Sequence, residues 1–196
     1  MKKQVLVIHG GDLFPTYRSY LTFLINYKID LFRKNWKNLL SEKLGQKYEV
    51  IQPQMPNKNN AKYKEWKIWF EKYFPFLKDN VVLIGHSMGG VFLAKYLSEN
   101  NFPKRIKATL LVAPPYNRDE GRPLVEFVLP SSLKKFVKQA GKIFIYHSKN
   151  DPIVDFKELS KYKKALPDAQ IKIFKNRGHF SGGNFPEIIK DIKELK

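Results

Sequence analysis

The sequence predicts an α/β fold in which about six mostly parallel strands lie between two layers of helices. Short apolar runs rich in β-branched residues alternate with longer amphipathic stretches, which is typical of parallel strands joined by crossover helices. A strand-like run, a glycine-rich turn and a helix-like run follow one another around Ser87. The chain has 196 residues and 43% apolar content, enough to bury a core without disulfides or metals. We therefore expect a single domain over residues 1–196.

The predicted elements follow in order along the chain. Strands are expected near residues 4–8, 48–52, 80–85, 107–113, 142–147 and 169–174. Helices are expected at about 32–44, 61–74, 88–100, 156–165 and 185–195. Two segments, at about 13–36 and 116–140, interrupt the alternation, and each could be a small cap over a pocket or an inert insertion. The site of such a sheet is expected at the carboxyl ends of its strands.

The pentapeptide 85–89, Gly-His-Ser-Met-Gly, is the most informative stretch of the chain. It stands between the apolar run 80–84 and a run from Gly90 that is apolar at helical spacing. A sharp turn strains the backbone of its apical serine, and glycines two positions away on each side prevent collisions with the strand and helix. A G-x-S-x-G sequence in this setting is typical of a nucleophile elbow. Ser87 is therefore the predicted nucleophile.

A nucleophilic serine requires an imidazole base, which in this arrangement follows both the serine and the acid in the chain. The chain has four histidines. His9 and His86 precede or adjoin the serine, and His147 lies before the best candidates for the acid. His179 lies in a glycine-containing loop after the last predicted strand. We therefore predict that His179 is the base.

The carboxylate that orients the base is predicted to be Asp151. It lies just beyond the fifth predicted strand, in a loop that can reach across the strand ends towards His179. Asp155, in the same loop, is the alternative, although it is more typical of a helix N-cap, with Glu158 completing a capping box. Asp168 is typical of a turn before the last strand.

Oxyanion stabilisation requires two backbone N–H groups. One is expected from Met88, which follows the nucleophile and begins a helix whose dipole favours negative charge. The other is expected from the loop after the first strand, where Gly11 is the first choice because the glycine pair 10–11 allows a close backbone approach. His9 and His86 are expected to have structural roles beside these donors.

These motifs, in this order, resemble the α/β-hydrolase superfamily and, within it, the small serine hydrolases of the retinoblastoma-binding-protein-nine or YdeN-like type. The matching segments are 9–11, 52–57, 85–90, 111–115, 148–154, 178–180 and 185–187. The resemblance implies a three-layer α/β-hydrolase fold with its nucleophile at Ser87, its acid at Asp151 and its base at His179. This chain departs from compact members of the family by a longer connection at about residues 14–36.

Composition argues against several other classes of protein. The chain contains no cysteine, which excludes disulfides and a cysteine nucleophile, and no Cys/His spacing typical of a metal site. We therefore expect no metal and no cofactor. Neither a signal peptide nor an apolar run of membrane-spanning length is present, so we expect a cytoplasmic protein without a membrane partner. The oligomeric state is left open, a monomer included.

The formal charge of +18 suggests a binding function as an alternative, because a basic chain can bind nucleic acid or anionic surfaces. The lysines are scattered along every predicted helix, and only six of the 36 basic residues are arginine. We therefore favour solvated helix faces over a specific nucleic-acid site.

Two functional hypotheses follow from the sequence. The first is a serine hydrolase that cleaves a small ester or amide through an acyl-enzyme. The second is a catalytically weak binding protein on a hydrolase scaffold that acts through a protein or an anionic partner. The complete set of Ser87, Asp151 and His179 favours the first.

Overall fold

Six parallel strands form the centre of the fold. The structure is a computed structural model, and it describes residues 2–29, 35–117 and 124–195. The strands are β1 (Lys3–Ile8), β2 (Tyr48–Ile51), β3 (Val81–His86), β4 (Ile106–Val112), β5 (Lys142–Ser148) and β6 (Gln170–Phe174). Their spatial order is β2-β1-β3-β4-β5-β6, and each neighbouring pair is parallel. All six predicted strands are confirmed, with ends within about one residue of the expected positions.

Seven α-helices lie in the described parts of the chain. They are α1 (Tyr17–Asn26), α2 (Trp36–Leu44), α3 (Tyr63–Glu71), α4 (Met88–Glu99), α5 (Lys134–Gln139), α6 (Glu158–Ala165) and α7 (Pro186–Lys193). Five correspond to predicted helices, although residues 32–34 of the first prediction lie outside the described residues. Helices α1 and α5 occur within the two interrupting segments, where none was predicted. Helix α5 has only six residues, too few for helical periodicity to stand out in the sequence.

Helices cover both faces of the sheet, which confirms the three-layer prediction. Consecutive side chains of a strand point to opposite faces, and β1 shows this clearly. Leu6 and Ile8 belong to one buried cluster with side chains of α3 and α4. Val5 and Val7 belong to a second buried cluster with side chains of α2 and α7. The near-continuous apolar character of β1 is therefore a consequence of burial on both sides.

The connections after β1 and β3 lie side by side because the order of strands reverses between them. The chain passes from β1 to β2 in one direction and then crosses back to place β3 on the other side of β1. Ile8 of β1 pairs in register with Gly85 of β3. The loop that follows β1 and the turn at Ser87 therefore meet at the switch point of the sheet, where α/β proteins bind ligands.

The two interrupting segments differ in their packing. The described part of 116–140 contributes six side chains to the core, namely Leu124, Phe127, Leu129, Leu133, Phe136 and Ala140. Residues 118–123 of that segment lie outside the described residues. Helix α1, in the other segment, contains no buried residue. None of the helices in the described parts of the chain has the length and hydropathy needed to span a lipid bilayer.

A buried carboxylate joins the last helix to the sheet. Asp191 of α7 accepts a hydrogen bond of 2.7 Å from the Tyr146 hydroxyl of β5 and pairs with Lys172 of β6. Its side chain is only 5% exposed, whereas that of Lys172 is 34% exposed. Burial and the adjacent carboxylate both raise the pKa of Tyr146, so the hydroxyl stays protonated and remains a donor.

We expect Asp191→Ala to lower the free energy of unfolding by about 1.5–3 kcal/mol, because a buried hydroxyl and an ammonium group lose a charged partner. The loss is smaller than for a fully buried pair because Lys172 can reach water. Denaturant unfolding would measure it. Lys190→Ala is the control on the same helix, since its pair with Glu194 is long and exposed and should change stability by less than about 0.5 kcal/mol. Equal effects of the two substitutions would contradict this role of Asp191.

Candidate active site

Ser87 stands at the apex of the turn between β3 and α4, with a strained backbone conformation. Its φ is 55° and its ψ is −121°, a region that residues other than glycine rarely occupy. A side chain on Gly85 would collide with the backbone of Gly89, and one on Gly89 would collide with the backbone at the end of β1. The Ser87 N–H donates a 2.8 Å hydrogen bond to the carbonyl of Val112 at the end of β4. The geometry is that of a nucleophile elbow.

The imidazole of His179 is hydrogen-bonded to the carboxylate of Asp151. Nδ1 of His179 lies 2.8 Å from Oδ2 and 3.1 Å from Oδ1. Oδ1 also accepts the N–H groups of Ile153 at 2.8 Å and Val154 at 3.0 Å. Burial alone would raise the pKa of Asp151, but the hydrogen bonds from His179 and the two N–H groups hold it below its usual value. The carboxylate is therefore ionised at neutral pH, and it fixes the Nδ1–H tautomer of His179.

The loop that carries His179 is held to the end of β5 by side chains that the sequence reasoning missed. The Asn150 side chain accepts a hydrogen bond of 2.9 Å from the N–H of Gly178. The Ser148 hydroxyl accepts one of 2.9 Å from the N–H of Arg177. Both lie just before Asp151 in the chain, which is the one sequence signal that could have pointed to them.

His86 holds the backbone of His179. Its Nε2 donates a hydrogen bond of 2.9 Å to the backbone carbonyl of His179. Its Nδ1 lies 3.4 Å from the ammonium of Lys37 and therefore accepts. Full burial, followed by the charge of Lys37 and the neighbouring His179, lowers the pKa of His86 well below its usual value. His86 is a neutral residue that positions its neighbour, in keeping with the structural role expected for it.

His9 holds the loop after β1 against the loop after β2. Its Nε2 accepts the N–H of Met55 at 2.8 Å, and its Nδ1 donates to the carbonyl of Gly10 at 2.6 Å. Burial is the main cause that lowers the pKa of His9. A neutral ring is required here because a protonated Nε2 could not accept. The role agrees with the structural one expected from the sequence.

The loop after β1 lies against the elbow. A Cβ on Gly10 would lie 3.2 Å from Cβ of Ser87, and one on Gly11 would lie 2.8 Å from the carbonyl of Lys58. The N–H of Asp12 donates to that same carbonyl at 2.8 Å and fixes the path of the loop. The backbone hydrogen bonds among the described residues do not use the N–H of Gly11 or of Met88. These two groups can therefore serve a ligand.

The elbow opens into a cavity of about 840 Å³. Ser87, His179, Gly11 and Met88 line it. Part of the 13–29 segment also lines it, including Leu13, Phe14 and Phe23. The structure thus brings Ser87, His179, Gly11 and Met88 to one cavity, and Asp151 is joined to it by the hydrogen bond to His179. No hydrogen bond joins the Ser87 hydroxyl to the ring of His179 within the described part of the chain. Such bonds are often long before a substrate is bound.

The alternative carboxylates are used elsewhere. Oδ1 of Asp155 accepts the N–H of Lys157 at 2.8 Å, next to the start of α6. The capping box expected with Glu158 is wrong, because the Glu158 carboxylate accepts instead the N–H groups of Tyr116 at 2.8 Å and Asn117 at 3.0 Å. Asp168 lies in the turn before β6. In the ranges that the structure describes, no group of three His, Cys, Asp or Glu residues is arranged to hold a metal ion.

The fold and the elbow at its switch point define an α/β hydrolase, and comparisons with known proteins agree. The serine hydrolase family matches residues 32–189. The rat protein Serine hydrolase RBBP9 is 26% identical over 152 residues, which cover 76% of this chain and 78% of that protein. The chain belongs to the serine hydrolase family, and its resemblance to the RBBP9 and YdeN-like members is confirmed.

Solved structures show the same fold. The ydeN gene product from B. subtilis has a TM-score of 0.71 at 20% identity, over 99% of this chain and 98% of that chain. A putative YdeN-like hydrolase from Pectobacterium atrosepticum has a TM-score of 0.66 at 17% identity, over 98% and 90%. These likenesses extend over nearly the whole chain, the 13–29 segment included.

The close backbone contact at the elbow leaves no room for a side chain at Gly89. We expect Gly89→Ala to lower the free energy of unfolding by about 1–3 kcal/mol or more, because the new Cβ must displace the backbone at the end of β1. Thermal and denaturant unfolding would measure it. Gly182→Ala is the matched control, since its new Cβ would meet open space. If both variants were as stable as the parent, the described contact would be wrong.

Proposed function

We propose that this protein hydrolyses a small ester or amide through an acyl-enzyme, with Ser87 as nucleophile, His179 as base and Asp151 as the carboxylate that orients it. The observation that carries the proposal is the 2.8 Å hydrogen bond between Asp151 and His179 at the cavity into which the elbow presents Ser87. Membership of the serine hydrolase family supports it. An arrangement of nucleophile, base and orienting acid activates a serine that would otherwise be a weak nucleophile.

The first half of the reaction follows from the tautomer of His179. Because Nδ1–H donates to Asp151, Nε2 carries a lone pair and can accept the proton of the Ser87 hydroxyl. Oγ then forms a bond to the acyl carbon, and the carbonyl oxygen gains negative charge. The free N–H groups of Gly11 and Met88 are the proposed donors to this oxyanion, and the N-terminus of α4 adds its dipole.

The second half returns the enzyme to its starting state. The imidazolium of His179 gives its proton to the leaving alcohol or amine as that group separates from the acyl carbon. Water then attacks the acyl-enzyme, with His179 again accepting a proton, and releases the acid and the Ser87 hydroxyl. Asp151 remains ionised throughout and stabilises the imidazolium.

A fluorophosphonate probe is expected to label Ser87 and no other serine. Among the serines that the structure describes, Ser87 alone has a strained backbone with positive φ, and it lines the same cavity as His179, Gly11 and Met88. Mass spectrometry of the labelled peptide would identify the site. Ser87→Ala should abolish labelling and keep the unfolding midpoint of the parent, and labelling that persists in this variant would overturn the assignment.

Asp151→Asn is expected to lower kcat by orders of magnitude, about 10⁴-fold by analogy with other serine triads, because the amide stabilises the wrong imidazole tautomer. Asp155→Asn is the matched control. Its carboxylate touches a backbone N–H near α6, so the substitution should leave kcat unchanged and reduce stability by about 1 kcal/mol or less. Steady-state kinetics on a p-nitrophenyl ester and thermal melts would separate the two, and the reverse pattern would assign the acid to Asp155.

A further inference from the structure

Helix α1 leaves most of its apolar side chains exposed. None of its residues is buried. Six large apolar side chains between residues 17 and 29 are exposed, to between 40% and 83%: Tyr17, Leu21, Leu24, Ile25, Tyr27 and Ile29. A contiguous exposed apolar surface of this kind marks an interaction site more often than it occurs by chance on a monomer.

The apolar residues of α1 form two faces. Successive helical positions are about 100° apart, which places Tyr17, Leu21, Leu24 and Ile25 together on an outer face. Phe23 points to the other side, where it lines the cavity and stacks on Phe14 with ring centroids 4.9 Å apart. The helix therefore presents its outer face to solvent and Phe23 to the cavity that contains Ser87.

A narrow polar strip separates these faces, and its side chains bond within the helix. The Thr22 hydroxyl donates to the carbonyl of Arg18 at 3.1 Å, and the Asn26 amide donates to the carbonyl of Thr22 at 2.7 Å. A helix of ten residues is only marginally stable by itself in water. The Thr16–Ser19 capping box holds its first turn, but no residue of the helix is fully buried and the outer face is exposed along its length. Contact with an apolar medium would bury the exposed side chains of α1 and so stabilise the helix.

The positive charge of the chain indicates which apolar medium α1 would contact. Residues 13–29 contain Arg18 and Lys28, with Asp12 and Asp30 directly outside this range, and the whole chain has a formal charge of +18. Pairing of two copies through α1 would bring together two chains that each have a formal charge of +18, which mutual repulsion opposes. An anionic lipid surface would instead accept the apolar side chains at the level of the acyl chains and the basic side chains at the level of the headgroups.

We propose that the outer face of α1 docks this protein on an anionic lipid surface and that the substrate is an ester with a long acyl chain drawn from that surface into the cavity. The docking part stands on α1 alone. The substrate part rests on the proposed function, with Leu13, Phe14 and Phe23 lining the route between α1 and Ser87.

Flotation with vesicles of phosphatidylcholine, with and without phosphatidylglycerol, tests the docking. The full chain is expected to float with the anionic vesicles, at least 10-fold less with the neutral ones, and less as salt is raised. The double variant Leu24→Ser with Ile25→Ser should bind at least 10-fold more weakly. Ile68→Ser with Phe76→Ser is the matched control, because those side chains are 60% and 71% exposed on other elements, and it should bind as the parent does.

Turnover of two substrates tests the acyl chain. On p-nitrophenyl acetate in solution, the α1 variant should keep the kcat/KM of the parent. On p-nitrophenyl palmitate in anionic vesicles, it should lose at least 10-fold while the control variant loses nothing. Parent protein that binds the vesicles but hydrolyses neither ester would overturn the proposed function and leave the docking intact.

Three results would overturn the docking itself. They are normal hydrolysis of the acetate with no binding to anionic vesicles, equal loss of binding in the two double variants, and a dimer in light scattering that the α1 variant dissociates. The last result would assign the outer face to a second copy of the chain.

Discussion

The backbone contact beneath Ser87 is the constraint on which the site depends. At Gly89 the first turn of α4 lies directly against the backbone at the end of β1, with no space for a side chain. This contact is possible because β1 and β3 are neighbours at the switch point of the sheet. It holds the loop after β1, with the free N–H of Gly11, beside the serine. The strained φ of Ser87 persists because strands and helix on every side determine its position.

Two neutral imidazoles, those of His9 and His86, hold the backbone around the site. His86 donates to the carbonyl of His179, and His9 accepts from the N–H of Met55. Burial lowers the pKa of both residues, so each retains the donor and acceptor pattern that these bonds require. Two of the four histidines in the chain thus serve to position the proposed oxyanion loop and the proposed base. The positive charge of Lys37 also lowers the pKa of His86 and so favours the neutral ring.

The two interrupting segments show how similar-looking insertions acquire different roles. The described part of 116–140 places aromatic and aliphatic side chains in the core against α4. The 13–29 segment instead gives Phe14 and Phe23 to the wall of the cavity and leaves the opposite face of α1 exposed. Both segments contain apolar residues. Whether those residues are buried depends on which elements of the fold lie next to each segment. The 13–29 segment therefore lies next to the proposed catalytic residues.

Local pattern in the sequence was sufficient for the six strands, the elbow and the assignment of Asp151 and His179 to facing loops. Strand periodicity, glycine at a strained turn and the order of serine, acid and histidine are properties of neighbouring residues or of chain order, so they can be read without coordinates. The tertiary structure alone decided that His86 bonds to a carbonyl 93 residues away and that Glu158 binds two N–H groups about 40 residues earlier instead of capping its own helix. It also decided that α1 forms without a buried face. These contacts depend on which strand ends become neighbours in the sheet. The spatial order of the strands cannot be predicted from the local periodicity of the sequence.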